Sequence, residues 1–461
     1  MANRTKVKVQ RSGRRRYPHP ERMTGRGRMR QFVAYLRKTI HLPNIVEETV
    51  HDRRRSPKYS GSVCFLLTVF MLVMRIKSFN QFERRLADPA MKKLFGGRLL
   101  PRCVDTIVGA LKKTDLASLE ELHQRILRQS VENKALRKSL HRGMRFFSFD
   151  GLETIRSRNR SCQGCQTATY DTGQGQVTDH FHRFVFLYSL GPQPEFILGL
   201  QPQASLAQRK NKDPKAHKAE GEMTAVKPLI KRLRSLCPKL FDVGVGDGLY
   251  PTGPMINFMK DGRPSYELIA VLKKETDEPM ADAKKVFHAQ PPSIVYYDHQ
   301  RKEHVRMWDS EGFQGLDSSK HPLRVIKAEV YKGPKALNPK RIPWDGPEVS
   351  TWWLTTTISA ERLDGPEVFD ALRHRWNEEN VFAQLTQHWN IKHAYLHHEV
   401  GTIAMMYAFM VAFNLFQLFL YRRMRNFQAL GLTALAVVEE MKLDYAQIKD
   451  ARDGLFENIF A

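Results

Sequence analysis

The sequence predicts an α/β fold in which a mixed sheet follows a helical region and a basic N-terminal arm. Three observations support this prediction. Basic residues crowd residues 1–30, helical apolar spacing fills residues 60–145, and apolar runs of strand length begin at residue 146. With 461 residues, 42% of them hydrophobic, the chain is long enough for two or three domains with a sizeable core.

Positive charge dominates the N-terminal segment. Residues 1–30 contain eleven Lys or Arg against one acid, Glu21. Such a segment has too little apolar surface to fold alone, so we expect a basic arm and linker over residues 1–58. Its cations, including Arg14, Arg15 and Arg16, are predicted to contact phosphates. A disordered solubilising tail is the alternative interpretation.

Residues 60–145 carry helical patterns. The apolar run at 63–74 predicts a helix, and Ser78 is placed to cap the next helix, because a serine oxygen accepts from free amides of the first turn. Further helices are expected near 105–113 and 116–139. A basic helical unit of this kind is consistent with a DNA-binding domain of the helix-turn-helix type, or with a plain support domain.

The pattern changes at residue 146. Strands are predicted at 145–150, 183–190 and 195–200, followed by a helix at 222–237, a strand at 241–247, a helix near 251–260 and a strand at 266–274. The order three strands, helix, strand, helix, strand is that of an RNase H-like mixed sheet. We therefore expect an RNase H-like domain over residues 146–400.

Residues 280–345 interrupt this order with short β-like pieces separated by Pro, Gly and polar turns, which predicts a β-rich insertion. A strand at 350–358 and a long helix at 366–389 follow. The apolar stretch at 402–421 is long enough to cross a bilayer, but a buried core helix has the same composition. We therefore expect no membrane partner and interpret residues 401–461 as C-terminal helices for packing or multimerisation.

The overall charge points to a polyanionic partner. The formal net charge is +26, an excess that usually accompanies nucleic acid or an anionic membrane surface. Five cysteines, an odd and small number for this length, argue against a disulfide framework and suit a reducing cytosol. We expect a cytoplasmic, nucleoid-associated protein.

Two aspartates end predicted strands of this sheet. Asp150 closes the first strand and Asp247 closes the fourth, and each precedes a glycine. The first and fourth strands are neighbours in an RNase H-like order, so the two carboxylates should meet. Two Mg²⁺ ions about 3.5–4 Å apart can activate a nucleophile and stabilise charge on phosphorus, and Mg²⁺ prefers carboxylate oxygens. A solvated turn is the alternative for each Asp-Gly pair.

The third acid should come from the late helix, where Glu378 and Glu379 are the candidates. Glu379 lies four residues after Arg375, which puts the carboxylate and the guanidinium on one helix face. An arginine in that position can contact a phosphate beside the metal ions. This spacing favours Glu379.

Three segments carry a family resemblance: FSFDGLETIRSRNRSCQGC, FDVGVGDGLYPTGPMINF and RHRWNEENVFAQLTQHWN. They resemble bacterial insertion-sequence transposases of the DDE class, in the branch with a β-rich insertion in the catalytic domain, and the resemblance spans roughly residues 60–425. Leu372 and Thr386 stand where that branch often carries Tyr and Lys.

The resemblance implies an RNase H-like fold and two Mg²⁺ ions, with Mn²⁺ as a substitute, held by Asp150, Asp247 and Glu379. It implies cleavage at transposon ends and strand transfer into target DNA by a homo-oligomeric nucleoprotein complex. The alternatives are a catalytically inactive DNA-binding regulator and a structure-specific nuclease on the same fold.

Two further groups of residues have binding chemistry. Cys162 and Cys165 form a CxxC pair that could bind Zn²⁺ together with His180 and His182; reduced thiols in a loop, with histidines near DNA, are the alternative. The basic segment 209–218 is predicted to contact phosphates or to be a solvated loop, through Lys210, Lys212, Lys215 and Lys218.

Overall fold

The computed structural model describes residues 27–96, 100–191, 194–204, 214–273, 278–314, 316, 318–424, 427–446 and 454–455, with the backbone alone described at 214–220 and 377–378. Several predicted phosphate contacts lie outside the described residues: Arg14, Arg15, Arg16, Lys210 and Lys212.

The chain is helical from residue 28, earlier than the predicted arm and linker over 1–58 allowed. Helix α1 (Arg28–Tyr35) continues through a π-helical turn (Leu36–Ile40) into α2 (Leu42–Thr49). Met29, Phe32 and Val33 are fully buried, at the spacing of one helix face. This apolar stripe, hidden among many cations in the sequence, is why residues 28–49 fold.

A helical layer follows. Its helices are α3 (Gly61–Val73), α4 (Phe79–Leu86), α5 (Pro89–Leu94), α6 (Val104–Lys113) and α7 (Leu116–Glu132). Ser78 caps α4 as predicted, because its Oγ accepts from the Gln81 amide at 3.2 Å. All of α3 is buried, so this helix supports the core and has no face free to enter a DNA groove.

The sheet has an RNase H-like topology. Its first six strands are β1 (Phe146–Ser157), β2 (Gln166–Thr172), β3 (Gly175–Leu190), β4 (Ile197–Pro202), β5 (Val243–Gly246) and β6 (Glu267–Val271). They run β4-β3-β1-β5-β6, with β1 antiparallel to β3 and parallel to β5. Helices α8 (Pro214–Leu236) and α9 (Gly253–Asp261) make the crossovers. This confirms the predicted fold class.

Strand β2 was not predicted. It pairs with the N-terminal half of β3 as a hairpin, and most of its side chains are exposed. An exposed hairpin of polar residues lacks the apolar alternation by which strands are recognised in a sequence.

The β-rich insertion extends the same sheet. It comprises α10 (Glu278–His288), β7 (Ile294–Asp298), β8 (Glu303–Phe313) and β9 (Leu323–Lys332), and β10 (Val349–Thr356) follows. Strand β10 pairs antiparallel with both β6 and β9, so the strands described here form one continuous ten-stranded sheet.

The two faces of the sheet bury different cores. On one face, Phe146, Val243 and Val245 pack with residues of α11 (Gly365–His374). On the other face, Phe147 and Phe149 belong to the larger core shared with the helical layer. Because strand side chains alternate between faces, Asp150 shares the face of Phe146, which α11 covers.

The predicted late helix is divided. Arg375 separates α11 from α12 (Trp376–Gln387), with αR dihedral angles of φ −57° and ψ −29°. Helix α13 (Glu399–Leu418) then runs through the core against α3, α6 and α7, and α14 (Ala434–Tyr445) packs on α1.

Helix α13 belongs to the apolar segment that was long enough for a membrane span. Among the described residues, the segment Glu399–Arg423 passes tests of length and apolarity for such a span, and its most apolar window is completely buried inside the protein. Its one internal asparagine, Asn414, donates to the Ile197 carbonyl and accepts from the Ile197 amide, both at 2.8 Å. This polar residue therefore satisfies the backbone of β4, as expected of a core helix.

Candidate active site

Strand register brings Asp150 and Asp247 to the same place. The last residues that pair β1 with β5 are Ser148 and Val245, and each aspartate lies two positions further along the chain. The sequence predicted that Asp150 ends the first strand. This prediction was wrong, because β1 continues along β3 to Ser157. What ends at this point is β5, which leaves one edge of β1 open beside Asp150.

The Asp150 carboxyl group sits in an environment rich in negative charge. Its Oδ1 accepts from the Gly151 amide at 2.7 Å. Burial raises the pKa of Asp150 to about 6, and the nearby charges of Glu222 and Asp247 add to the rise. Arg375 opposes it, with Nη1 3.6 Å from Oδ2.

Asp247 is held by the turn that follows β5. Its Oδ1 accepts from the Leu249 amide at 2.9 Å, and its Oδ2 lies 3.1 Å from Lys273 Nζ at the end of β6. Gly248 permits this approach, since a Cβ there would come within 2.4 Å of the lysine side chain. Asp247 is therefore oriented towards the open edge beside Asp150.

Arg375 links the third acid to the first. At the junction between α11 and α12, its Nη2 donates to Glu379 Oε1 at 2.9 Å, the i, i+4 contact expected from the sequence. The same guanidinium faces Asp150. Glu379 is thus brought to the aspartates with the arginine between them. The side chain of Glu378 lies outside the described residues.

A fourth carboxylate, missed by sequence reasoning, reaches the site from α8. Glu222 Oε1 accepts from the Tyr250 hydroxyl at 2.7 Å, and a Cβ on Gly151 would lie 2.9 Å from Oε2. Burial raises the pKa of Glu222, and Asp247 adds to the rise. No local motif marks this residue, because its position depends on how α8 crosses the sheet.

The donors suit a hard divalent cation. Carboxylate oxygens are the ligands that Mg²⁺ prefers. Burial raises the pKa of Asp150 and the neighbouring Glu222 and Asp247 add to the rise, so a cation beside Asp150 would favour its charged form. The described acids do not form a compact ligand set. Among the described residues, the one group whose ligand atoms lie within 4.8 Å of one another is a different one, formed by Cys162, Cys165, His182 and His397.

The cysteine group differs from the predicted one in a single member. Cys162 Sγ and Cys165 Sγ lie 3.3 and 3.5 Å from His182 Nε2, as expected, but the fourth place belongs to His397, whose Nε2 lies 2.9 Å from Cys165 Sγ. His180 is not part of the group. His397 lies more than 230 residues from the CxxC pair, so spacing rules could not reveal it.

The remaining predicted contacts are only partly described. Lys215 and Lys218 lie in α8 and not in a loop, because the helix already begins at Pro214. Close to Arg375, Trp376 is 49% exposed, and its ring centroid lies 5.7 Å from that of Trp352. An exposed indole beside the acids is a surface on which a base could stack.

The chain is similar to a known protein family over somewhat less than half of its length. Residues 216–415 match the family model described as "Transposase DDE domain", a range that contains Asp247 and Glu379. This match confirms the resemblance to DDE transposases drawn from the sequence.

Other comparisons were made with solved structures and curated proteins. A solved structure, the cryo-EM structure of a piggyBac transposase synaptic complex with hairpin DNA, is similar over 91% of this chain and 79% of that chain, with 9% sequence identity and a TM-score of 0.40. No curated protein matches the sequence.

Proposed function

We propose that this chain is an active DNA transposase, which cleaves DNA at transposon ends and transfers the strands into target DNA in a metal-dependent reaction. One observation carries the proposal: Asp150 and Asp247 follow the last paired residues of neighbouring parallel strands, and Arg375 connects Asp150 to Glu379. A transposase DDE domain over residues 216–415 supports it.

Asp150, Asp247 and Glu379 would hold two Mg²⁺ ions, or Mn²⁺ in their place. Bound there, the ions would polarise the scissile phosphate and lower the pKa of the attacking water or 3′-hydroxyl. The protein residues fix the geometry. The Leu249 amide orients Asp247, and the Gly151 amide orients Asp150. Lys273 places a positive charge beside Asp247, where the DNA phosphate would bind.

Arg375 has a second role in this proposal. In the described arrangement its guanidinium neutralises Asp150 and Glu379. Bound cations would take over that neutralisation and would leave the guanidinium free for bidentate contact with a DNA phosphate. The neighbouring exposed Trp376 would then face the same strand.

The partner is DNA, at the transposon ends and the target, within a homo-oligomeric nucleoprotein complex on the bacterial nucleoid. The net charge of +26 supports a polyanionic partner. The proposed phosphate contacts away from the acids remain those expected from the sequence: Arg14, Arg15, Arg16, Lys210, Lys212, Lys215 and Lys218.

The test is a cleavage and joining assay on a plasmid carrying the native flanks of the coding region. We expect Asp150→Asn, Asp247→Asn and Glu379→Gln each to lower Mg²⁺-dependent cleavage by about three orders of magnitude or more, while gel-shift binding to the same DNA persists. Asp242→Asn is the matched control. Asp242 accepts from the Arg145 amide outside the site, a bond that Asn can keep.

The products decide between related functions. Cleavage without joined products would indicate a structure-specific nuclease, and binding without cleavage by the unaltered protein would indicate an inactive regulator. Full activity in any of the three acid variants would remove that residue from the site.

A further inference from the structure

We propose that Cys162, Cys165, His182 and His397 bind one structural Zn²⁺ ion. The ion would link residues 388–398, which follow α12, to strand β3 of the sheet. The site is independent of the acids and does not rest on the proposed function. It joins two parts of the chain that secondary structure alone does not connect.

Three of the separations match a tetrahedral zinc site. Zn–S and Zn–N bonds of about 2.3 and 2.0–2.1 Å imply S–S distances of about 3.8 Å and S–N distances of about 3.5 Å at tetrahedral angles. The two Sγ atoms lie 3.7 Å apart, and His182 Nε2 lies 3.3 and 3.5 Å from them. The shortest separation is the 2.9 Å from Cys165 Sγ to His397 Nε2.

The backbone around the thiols is already folded for ligation. The Cys165 amide donates to the Cys162 carbonyl at 3.0 Å, and the Cys162 amide donates to Cys165 Sγ at 3.3 Å. An amide donor to sulfur stabilises a thiolate, the form that binds metal. Gly164 keeps this turn close, since a Cβ there would lie 3.3 Å from the His182 ring.

Both histidines place a ring nitrogen beside the sulfur atoms. His182 Nε2 lies 3.3 Å from Cys162 Sγ, and His397 Nε2 lies 2.9 Å from Cys165 Sγ. The two imidazole rings meet edge to face, with centroids 5.6 Å apart. His182 is fixed by its place in β3, opposite Thr154 of β1.

A disulfide is the competing use of two such cysteines. The 3.7 Å between the sulfur atoms is far beyond a bond of about 2.05 Å, and both thiols are free. A disulfide would also leave both histidines without a role. Two sulfur and two imidazole donors, all within 4.8 Å of one another, favour zinc over Mg²⁺, which prefers oxygen.

The site lies where it can influence the acids. His397 ends the connection between α12, which carries Glu379, and α13. His182 is on β3, whose partner β1 carries Asp150. A zinc ion would therefore hold the segment 388–398 against the strand pair that positions the first acid.

The test measures metal content and coordination in the full-length protein. Purified without chelators, the protein should contain about one Zn²⁺ per chain, and cobalt exchange should give the visible bands of a tetrahedral thiolate site. Cys162→Ser, Cys165→Ser, His182→Ala and His397→Ala should each weaken zinc binding by at least about tenfold. His180→Ala is the matched control and should retain zinc, because His180 lies outside the group.

A second measurement avoids the risk that a ligand variant fails to fold. In the unaltered protein, a mercurial that blocks thiols should release the zinc to a colorimetric indicator in step with the loss of two thiols. Zinc-free protein with two freely titrating thiols at Cys162 and Cys165 would overturn the proposal. So would loss of zinc in His180→Ala together with its retention in His397→Ala.

Discussion

At Asp150, a carboxyl group is buried beside two other carboxylates, an arrangement that costs free energy unless a cation is present. Its pKa in the folded protein, about 6, lies above the ordinary value of 3.8. The folded state therefore binds the proton more tightly than the unfolded state does. This contribution to stability is complete below about pH 4 and is lost as the pH rises through about 6.

We predict that Asp150→Asn stabilises the protein at neutral pH in the absence of added Mg²⁺. The amide keeps an oxygen for the Gly151 amide but carries no charge, so the free energy of unfolding should rise by about 1–3 kcal/mol. The lower part of that range is expected, because the Asp150 side chain is still 28% exposed. Urea unfolding at neutral pH and near pH 4 measures the difference.

The extra stability of Asp150→Asn should disappear near pH 4, because Asp150 of the parent protein is itself protonated there. A variant that is no more stable than the parent at neutral pH would show that the carboxylate is already compensated, with Arg375 as the obvious source. Asp242→Asn serves again as the control, since its carboxylate lies outside the site.

The sequence predicts only part of this residue-level arrangement. Asp150 and Asp247 stand beside strand and turn signals, so local patterns find them. Glu222, Lys273 and His397 reach their sites through the crossing of α8, the end of β6 and the connection before α13. Such long-range positions depend on tertiary packing, which no local periodicity records.

Helix α12 is the element on which the third acid depends. It starts immediately after Arg375, and this break separates α11, which packs on the sheet, from a helix on which Trp376 and Glu379 are exposed. The division lets α11 fill the core with Val368, Phe369 and Leu372 while α12 presents Glu379 beside the acids. The sequence predicted one continuous helix because both halves have helical spacing.

We predict that Glu379→Gln loses strand cleavage in both Mg²⁺ and Mn²⁺, and that Glu378→Gln keeps most of it. Adjacent helix residues point about 100° apart, so both cannot face the aspartates equally, and Arg375 already pairs with Glu379. Gln preserves size and polarity but removes the charge that a hard cation requires. The cleavage assay described above compares the two variants directly.

The opposite result, in which Glu378→Gln is inactive and Glu379→Gln active, would move the third ligand back by one residue. The contact between Arg375 and Glu379 would then be a surface ion pair of helical spacing, worth a few tenths of a kcal/mol.

On the scale of the whole molecule, the first described helix carries cations that form ion pairs with the last one. The described helices begin at Arg28, and Arg28 itself forms an ion pair of 2.6 Å with Glu440 of α14. Arg30 likewise pairs with Asp444 at 3.3 Å. Cations at the start of α1 thus belong to the folded protein, whereas Arg14, Arg15 and Arg16, the predicted phosphate contacts of the N-terminal segment, precede them in the sequence.

We predict that deleting residues 1–26 weakens DNA binding for all sequences alike and makes the slope of log affinity against log salt shallower. Each phosphate contact contributes about 0.9 to that slope on duplex DNA. The triple change of Arg14, Arg15 and Arg16 to Gln is the length-preserving comparison and should reduce the slope by up to about 2.7. Fluorescence anisotropy across a salt series provides the measurement.

An unchanged slope in both variants would show that the segment is a solvated tail. A deletion that extends through residue 30 would be harder to interpret, because it removes Met29, which is buried, and the ion pairs with α14. The melting temperature of the 1–26 deletion should match that of the parent, which controls for such damage.

Helix α13 also sets the order in which this protein can be completed during synthesis. The helical layer that it packs against is encoded near the start of the chain, yet α13 itself begins at Glu399. At translation rates of about 5–20 residues per second, the apolar helix α3 leaves the ribosome roughly 15 to 65 seconds before its partner exists. Throughout that interval its apolar residues, among them Phe65 and Phe70, are not covered by the helix that buries them in the finished protein.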